Sequence, residues 1–204
     1  MGFYRKFVLP RLTDLAMRNT ELQPFRQRVI GSAEGRVLEI GAGSGLNLKF
    51  YRAAAREVLA LEPDPKMMAM ARRKANDASC PVSFLAGSAE AIPLDDRSVD
   101  TVVTTWTLCT IPDAVHALHE MRRVLKPGGR LMFVEHGLSP EDGIQKWQDW
   151  LTPVWKTIGG GCHLNRPISS LIERSGFHID ALDAGYIRGP KPMCFMYEGR
   201  ARPL

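Results

Sequence analysis

Gly41, Gly43 and Gly45 stand at alternate positions directly after the apolar run "RVLEI", whose acid is Glu39. A second apolar run, "EVLAL", is followed at once by another acid, Glu62. Glycines between a strand and a helix let backbone approach a nucleotide closely, so this pattern points to nucleotide chemistry. The dinucleotide fingerprint needs glycine at the first, third and sixth positions of the turn. Here the sixth position is Leu46, and the last glycine falls at the fifth. A phosphate loop of the G-x-x-x-x-G-K-[ST] type is also absent. The ligand predicted is therefore a nucleoside without phosphates. Glu62 would accept the two ribose hydroxyls, and N–H groups at the start of a helix after Gly45 would receive a carboxylate.

The elements that must position these residues are legible from hydrophobic patterning. "RVLEI", "EVLAL", "PVSFLA", "VDTVVTT" and "GRLMFVE" are continuous rather than alternating in their apolar residues, as expected of parallel strands buried on both faces. Gly45 to Ala55, Pro65 to Asp77 and Asp113 to Leu125 have helical length and apolar spacing. "KPGGR" ends the last of these, and Asp113 fits its N-terminus. Further on, the spacing of Trp147, Trp150, Leu151, Val154 and Trp155 predicts an amphipathic helix. A last helix over Pro167 to Ser175 and strands near Phe177 to Leu182 and Met193 to Glu198 follow. Two short helices occupy the first thirty residues, with Phe3, Phe7, Leu12 and Leu15 on one face. This strand–helix alternation predicts an α/β fold with a parallel sheet.

S-adenosylmethionine carries a ribose and an amino-acid carboxylate and no phosphate. At this point the chain resembles the seven-stranded class I methyltransferases. "LEIGAGSG" looks like their first motif, Glu62 their ribose acid, "GSAEAIPLDDRSVDTVV" their adenine motif and "MRRVLKPGGRLMFVE" the helix-turn-strand beyond the cofactor. The resemblance implies a Rossmann-like three-layer sandwich with a mostly parallel seven-stranded sheet, one antiparallel strand near the C-terminus and an N-terminal helical cap. It implies S-adenosylmethionine as cofactor and S-adenosylhomocysteine as product. Cofactor contacts implied are Glu39, Gly41, Gly43, Gly45 and Asn47 from the first motif, and Glu62 and Pro63 from the second strand. Ser88, Ala89, Glu90, Thr105 and Trp106 complete the set. Ser88 departs from the relatives that methylate quinones, which carry Asp there.

A closer resemblance is to small bacterial methyltransferases of the type-11 class and to the thiol-methylating methyltransferase-like proteins of animals. It rests on "WTLCTIPD", "FVEHG" and "GGGCHLNR". It implies a small or lipophilic thiol as acceptor, with Trp106, Cys109, Trp155, Cys162 and His163 around it and His136 and His163 able to take a proton. A thiol with a pKa of ~8.5 is partly ionised near neutrality and needs no strong base. A nitrogen or phenol acceptor would use the histidines as bases. The loop Gly159 to Arg166 is expected to cover the acceptor. Packing is the competing role for Trp106, Cys109 and the later tryptophans, and loop support for His136. A lipid or quinone acceptor at a membrane surface, and a cofactor-binding protein without catalysis, are the alternative readings.

With 204 residues and 45% hydrophobic content, one domain is expected: a cap over 1–35, a cofactor core over 36–136 and an acceptor side over 137–204. No run of eighteen apolar residues occurs, and Arg5, Lys6, Pro10 and Arg11 interrupt the N-terminal apolar residues, so a cytoplasmic protein is expected. Cys80, Cys109, Cys162 and Cys194 form no C-x-x-C pair, which predicts reduced thiols and no metal. The charge of +5 is carried by pairs such as Arg72-Arg73 and Arg122-Arg123 among acids. That reads as a solvated surface, with weak peripheral membrane contact and no nucleic acid.

Overall fold

A computed structural model describes residues 2–204 apart from the side chains of Arg5 and Lys6. Seven strands form one sheet: β1 (Gly35–Ile40), β2 (Ala55–Leu61), β3 (Val82–Leu85), β4 (Val99–Thr105), β5 (Leu125–His136), β6 (Phe177–Tyr186) and β7 (Phe195–Pro203). Their order is β3-β2-β1-β4-β5-β7-β6. Every pair from β3 to β5 is parallel, and β7 runs antiparallel to both its neighbours. The expected single antiparallel strand is thus β7. The chain leaves β1 toward β2 and β3 and returns to β4 on the other side of β1. That reversal opens a crevice at the carboxyl ends of β1 and β4, where open α/β sheets bind ligands.

Successive side chains of a strand point to opposite faces, so each central strand feeds two cores. Leu38, Leu59, Val102, Leu131 and Phe133 pack with Leu118 and Met121 of α4 (Ala114–Val124) and with Ile168 and Ile172 of α6 (Ile168–Arg174). Their neighbours Val37, Val58, Val103, Met132 and Val134 pack on the other face with Val29 of α2 (Gln23–Val29), Ile30, Leu48 and Tyr51. Asp113 caps α4 by accepting the N–H of His116 at 2.9 Å. The remaining α-helices among the described residues are α1 (Leu9–Met17), α3 (Pro65–Arg72) and α5 (Asp142–Ile158). No helix among the described residues is long and apolar enough to cross a membrane.

One expected element is absent. Gly45 to Ala55 holds no α-helix, only a short 3₁₀ turn at Leu48–Phe50, after which Tyr51 is extended. β2 begins at Ala55, and the side chain of Asn47 is drawn into buried hydrogen bonds with Glu39 and Thr105. The helix start expected to receive a carboxylate is therefore absent. The N–H of Gly45 goes instead to the carbonyl of Ala42 at 3.0 Å.

Candidate active site

The turn after β1 is made by glycines that serve three different purposes. Gly41, Gly43 and Gly45 all have φ between +57° and +77°, which side chains rarely adopt. A Cβ on Gly41 would lie 2.5 Å from Cγ2 of Thr107, and one on Gly45 2.9 Å from Cα of Ala71 in α3. One on Gly43 would meet nothing closer than 3.5 Å. Two glycines thus let backbone pass β4's loop and α3, while the third leaves open space in the crevice. The N–H of Gly43 donates to Oε2 of Glu62 at 2.8 Å, and the N–H of Asp64 to Oε1 at 2.9 Å. Burial pushes the Glu62 carboxyl up, against these two bonds.

Behind the turn lies a buried polar chain. Asn47 donates to Oε1 of Glu39 at 2.7 Å and to Oγ1 of Thr105 at 2.9 Å, and accepts from Nε of Arg26 at 2.9 Å. The Tyr51 hydroxyl donates to Oε2 of Glu39 at 3.0 Å. Glu39 is fully buried, which pushes its carboxyl up to about 7. It organises the turn from beneath. Arg26 also donates to the carbonyl of Met17, at the end of α1, and its guanidinium lies 4.8 Å over the Trp106 ring. Burial lowers it to about 10.

Of the residues expected to contact the cofactor, Gly41, Gly43, Asn47, Thr105 and Trp106 line the crevice, together with residues that the sequence did not single out: Thr13, Asp14, Met17, Arg26, Met67 and Thr107. The crevice has a volume of about 110 Å³ and is lined on one side by Thr13, Asp14 and Met17 of α1. Ser88, Ala89, Glu90 and Pro63 stand outside this cavity. Ser88 Oγ donates to Glu90, whose other oxygen accepts the N–H of Asp113, so this loop is tied to the start of α4.

Trp106 divides two cavities. Its φ is +50°, a costly conformation for a bulky residue. Its N–H bonds to the carbonyl of Val134 at 2.8 Å and its indole N–H meets Sδ of Met196 at 3.5 Å, which hold it there. On its far side is a pocket of about 420 Å³, walled largely by apolar side chains including Leu9, Leu12, Trp155, Ile158 and Leu164. Thr13, Met17 and Trp106 border both spaces.

The pocket's polar part is a cluster that joins three separate segments. Nε2 of His136 lies 2.8 Å from Sγ of Cys162, and Sγ of Cys162 lies 3.7 Å from Sγ of Cys109. Its bond with Cys109 and its contact with His136 draw the Cys162 thiol down, against burial. Cys109 is pushed up by that same bond and by burial. Burial would lower His136, but the Cys162 sulfur outweighs it and raises it. Next to it, Glu135 is fully buried and pushed up to about 7, accepting from Thr104 Oγ1 and the N–H of Thr107.

Cys109, His136, Trp155 and Cys162 are thus brought together, and His163 is not. Its N–H donates to the carbonyl of Cys109 at 2.8 Å and its Nδ1 lies 3.1 Å from the same oxygen. Burial lowers its pKa. Trp147 and Trp150 are exposed and meet each other edge to face at 5.6 Å rather than covering the pocket. In the glycine run, Gly160 and Gly161 have φ of +70° and +99°, and Gly159 ends α5.

The methyltransferase-domain family matches residues 38–133. Over 203 residues, 96% of this chain and 81% of the other, the sequence is 33% identical to thiol S-methyltransferase TMT1B of Homo sapiens. The chain belongs to the S-adenosylmethionine-dependent methyltransferases. Its identity to the Rattus norvegicus TMT1B is 37% over 151 residues, 72% of this methyltransferase and 61% of the rat protein. Its fold matches an S-adenosylmethionine-dependent methyltransferase from Thermotoga maritima, described as a possible histamine N-methyltransferase, with a TM-score of 0.69 and 21% identity over 97% of this chain and 98% of that one. The methyltransferase therefore takes S-adenosylmethionine as cofactor and releases S-adenosylhomocysteine.

Proposed function

We propose that this methyltransferase transfers its methyl group to the sulfur of a small, lipophilic thiol. The observation that carries the reading is the apolar pocket of about 420 Å³ that meets the cofactor crevice at Trp106 and has Cys109, His136 and Cys162 as its polar patch. Apolar walls favour a greasy acceptor, and a polar patch beside the donor holds the one reacting atom. The names of the two TMT1B relatives support the same acceptor class. Methyl transfer is an in-line displacement at a sulfonium carbon, so the protein's task is alignment and exclusion of water. The acceptor's S–C bond forms as the donor's breaks, and the electron pair of the broken bond returns to the departing sulfur. The sulfonium charge nearby favours the acceptor as thiolate.

On this reading Glu62 takes the ribose hydroxyls, the segment Ser88 to Glu90 the adenine side, and the buried Arg26 the cofactor's carboxylate in place of a helix start. Labelled S-adenosylmethionine offered with hydrogen sulfide, alkanethiols, quinols, phosphatidylethanolamine and amines tests the acceptor. Label in the thioethers is expected, and label only in a quinol or amine product would overturn the thiol.

One observation favours supply of that acceptor from a membrane surface. Phe3, Phe7, Leu12 and Leu15 at the cap and Trp147, Trp150, Val154 and Ile158 on α5 expose their apolar side chains, while Leu12 and Ile158 also line the pocket. Amphipathic helices of this kind lie in a lipid interface.

A further inference from the structure

We propose that Cys109, His136 and Cys162 bind a zinc ion whose open position faces the acceptor pocket and takes the acceptor thiolate. The proposal deepens the thiol reading above and rests on it for the identity of the fourth ligand. The three ligand atoms come from the loop after β4, the end of β5 and the loop between α5 and α6, and all lie within 4.8 Å of one another. Two sulfurs each ~2.3 Å from a tetrahedral ion stand about 3.8 Å apart. The two sulfurs here stand 3.7 Å apart. A nitrogen at ~2.0 Å and a sulfur at ~2.3 Å stand about 3.5 Å apart on such an ion. The 2.8 Å between His136 and Cys162 then has to open by less than the width of one atom.

No protein group other than a proposed ligand competes for Nε2 of His136 among the described residues. Its Nε2 meets only the Cys162 sulfur, and its Nδ1 is buried with no hydrogen-bond partner among the described residues. Three protein ligands of the Cys2His type with one side left open are a zinc arrangement used for chemistry rather than for structure. Two thiolates neutralise the ion. A bound acceptor thiolate adds one negative charge near Arg166, whose guanidinium reaches the carbonyl of Leu108, next to Cys109, and that of Pro112. The acceptor thiol loses its proton to solvent on binding, as thiol ligands do. Its sulfur then attacks the sulfonium methyl, S-adenosylhomocysteine departs with the electron pair, and the thioether, a weaker ligand than the thiolate, leaves the ion.

The test uses the whole chain, reduced and freed of metal with a chelator, then titrated anaerobically with Co²⁺. One equivalent should bind with the strong near-ultraviolet absorption of thiolate-to-cobalt charge transfer, an alkanethiol should alter that spectrum, and Zn²⁺ should abolish it. Cys109→Ser and Cys162→Ser should each weaken binding by at least the ~10–100-fold that loss of a mere outer-shell partner costs. Cys80→Ser should bind as the unaltered chain does. Calorimetric binding of S-adenosylhomocysteine reports folding of every variant. No thiolate-to-cobalt absorption, or uptake unchanged in a folded Cys109→Ser/Cys162→Ser double variant, overturns the ion site. A spectrum indifferent to alkanethiol overturns the open position. Full thiol methylation by a chain that takes up no cobalt removes the ion and keeps the thiol reading. Cobalt uptake by a chain that labels no thiol removes the thiol reading and keeps the site.

Discussion

Oε2 of Glu62 accepts the N–H of Gly43 across 2.8 Å, so the acid beyond β2 and the turn beyond β1 form one unit before any ligand arrives. Replacing Glu62 with Ala removes a charged acceptor for ribose and frees the turn as well. Loss of such charge-assisted bonds costs ~1.5–3 kcal/mol, which is about tenfold or more in cofactor affinity. Calorimetric titration with S-adenosylhomocysteine checks this, and an unchanged affinity would show that Glu62 does not hold the ribose.

The glycines should separate folding from binding. Gly45→Ala meets the backbone of Ala71 at 2.9 Å, whereas Gly43→Ala clashes with nothing but projects into the crevice. Each pays roughly 1 kcal/mol for positive φ. Beyond that shared cost, Gly45→Ala should lower the melting temperature further, and Gly43→Ala should mainly weaken the cofactor. Equal melting temperatures and equal affinities in the two variants would contradict this division.

Glu39 gives a pH dependence of known sign. Its carboxyl is raised by burial from an ordinary 4.5 to about 7 in the folded chain. Between those values the folded chain holds a proton that the unfolded chain has lost, so stability falls as pH rises. The contribution is complete below pH 4.5 and gone above 7, at about 1.4 kcal/mol for each pKa unit of difference. Glu39→Gln should remove this slope while Glu135 keeps its own in both proteins. Melting temperatures of the two proteins, compared from pH 4 to 8, should therefore converge or cross as pH rises; a constant difference would mean that Glu39 titrates normally.

An apolar acceptor pocket should reward chain length. Each buried methylene contributes ~0.8 kcal/mol, so kcat/KM should climb about fourfold per carbon along a series of n-alkanethiols until the pocket is filled. Trp155→Ala should flatten that climb and raise KM while leaving S-adenosylhomocysteine affinity nearly unchanged, since Trp155 borders only the acceptor side. A series with no length dependence would refute the pocket assignment.

Vesicle binding tests the exposed helices. Leu15 is 67% exposed and Trp150 is 69% exposed, so Leu15→Glu with Trp150→Glu should leave folding intact. Co-sedimentation with anionic vesicles should fall severalfold in the double variant and on raising salt. Equal recovery of both proteins without any vesicle pellet would remove the membrane surface from the scheme.

The sheet was legible because parallel strands buried on both faces give continuous apolar runs, and "VDTVVTT" coincides with β4 at both ends. The glycine turn and Glu62 were legible because they form a local pattern. The helix after Gly45 was misread because its apolar spacing says nothing of Asn47, whose side chain is claimed by Glu39. Cys109, His136 and Cys162 were named singly, yet their meeting is tertiary: β4 and β5 are sheet neighbours, and the α5–α6 loop returns across their ends. Cysteine spacing detects only ligands close in sequence. Periodicity likewise could not tell which tryptophans of α5 face inward, and only Trp155 does so at the pocket.

Thr13 and Met17 of one short helix border both cavities. Donor and acceptor spaces are therefore bounded by the same helix. If that helix must lift to admit the nucleoside, departure of the spent nucleoside uncovers the thioether beside it as well. Rapid-quench measurements should accordingly find both products released with one rate constant, and that constant, rather than the transfer itself, setting the turnover.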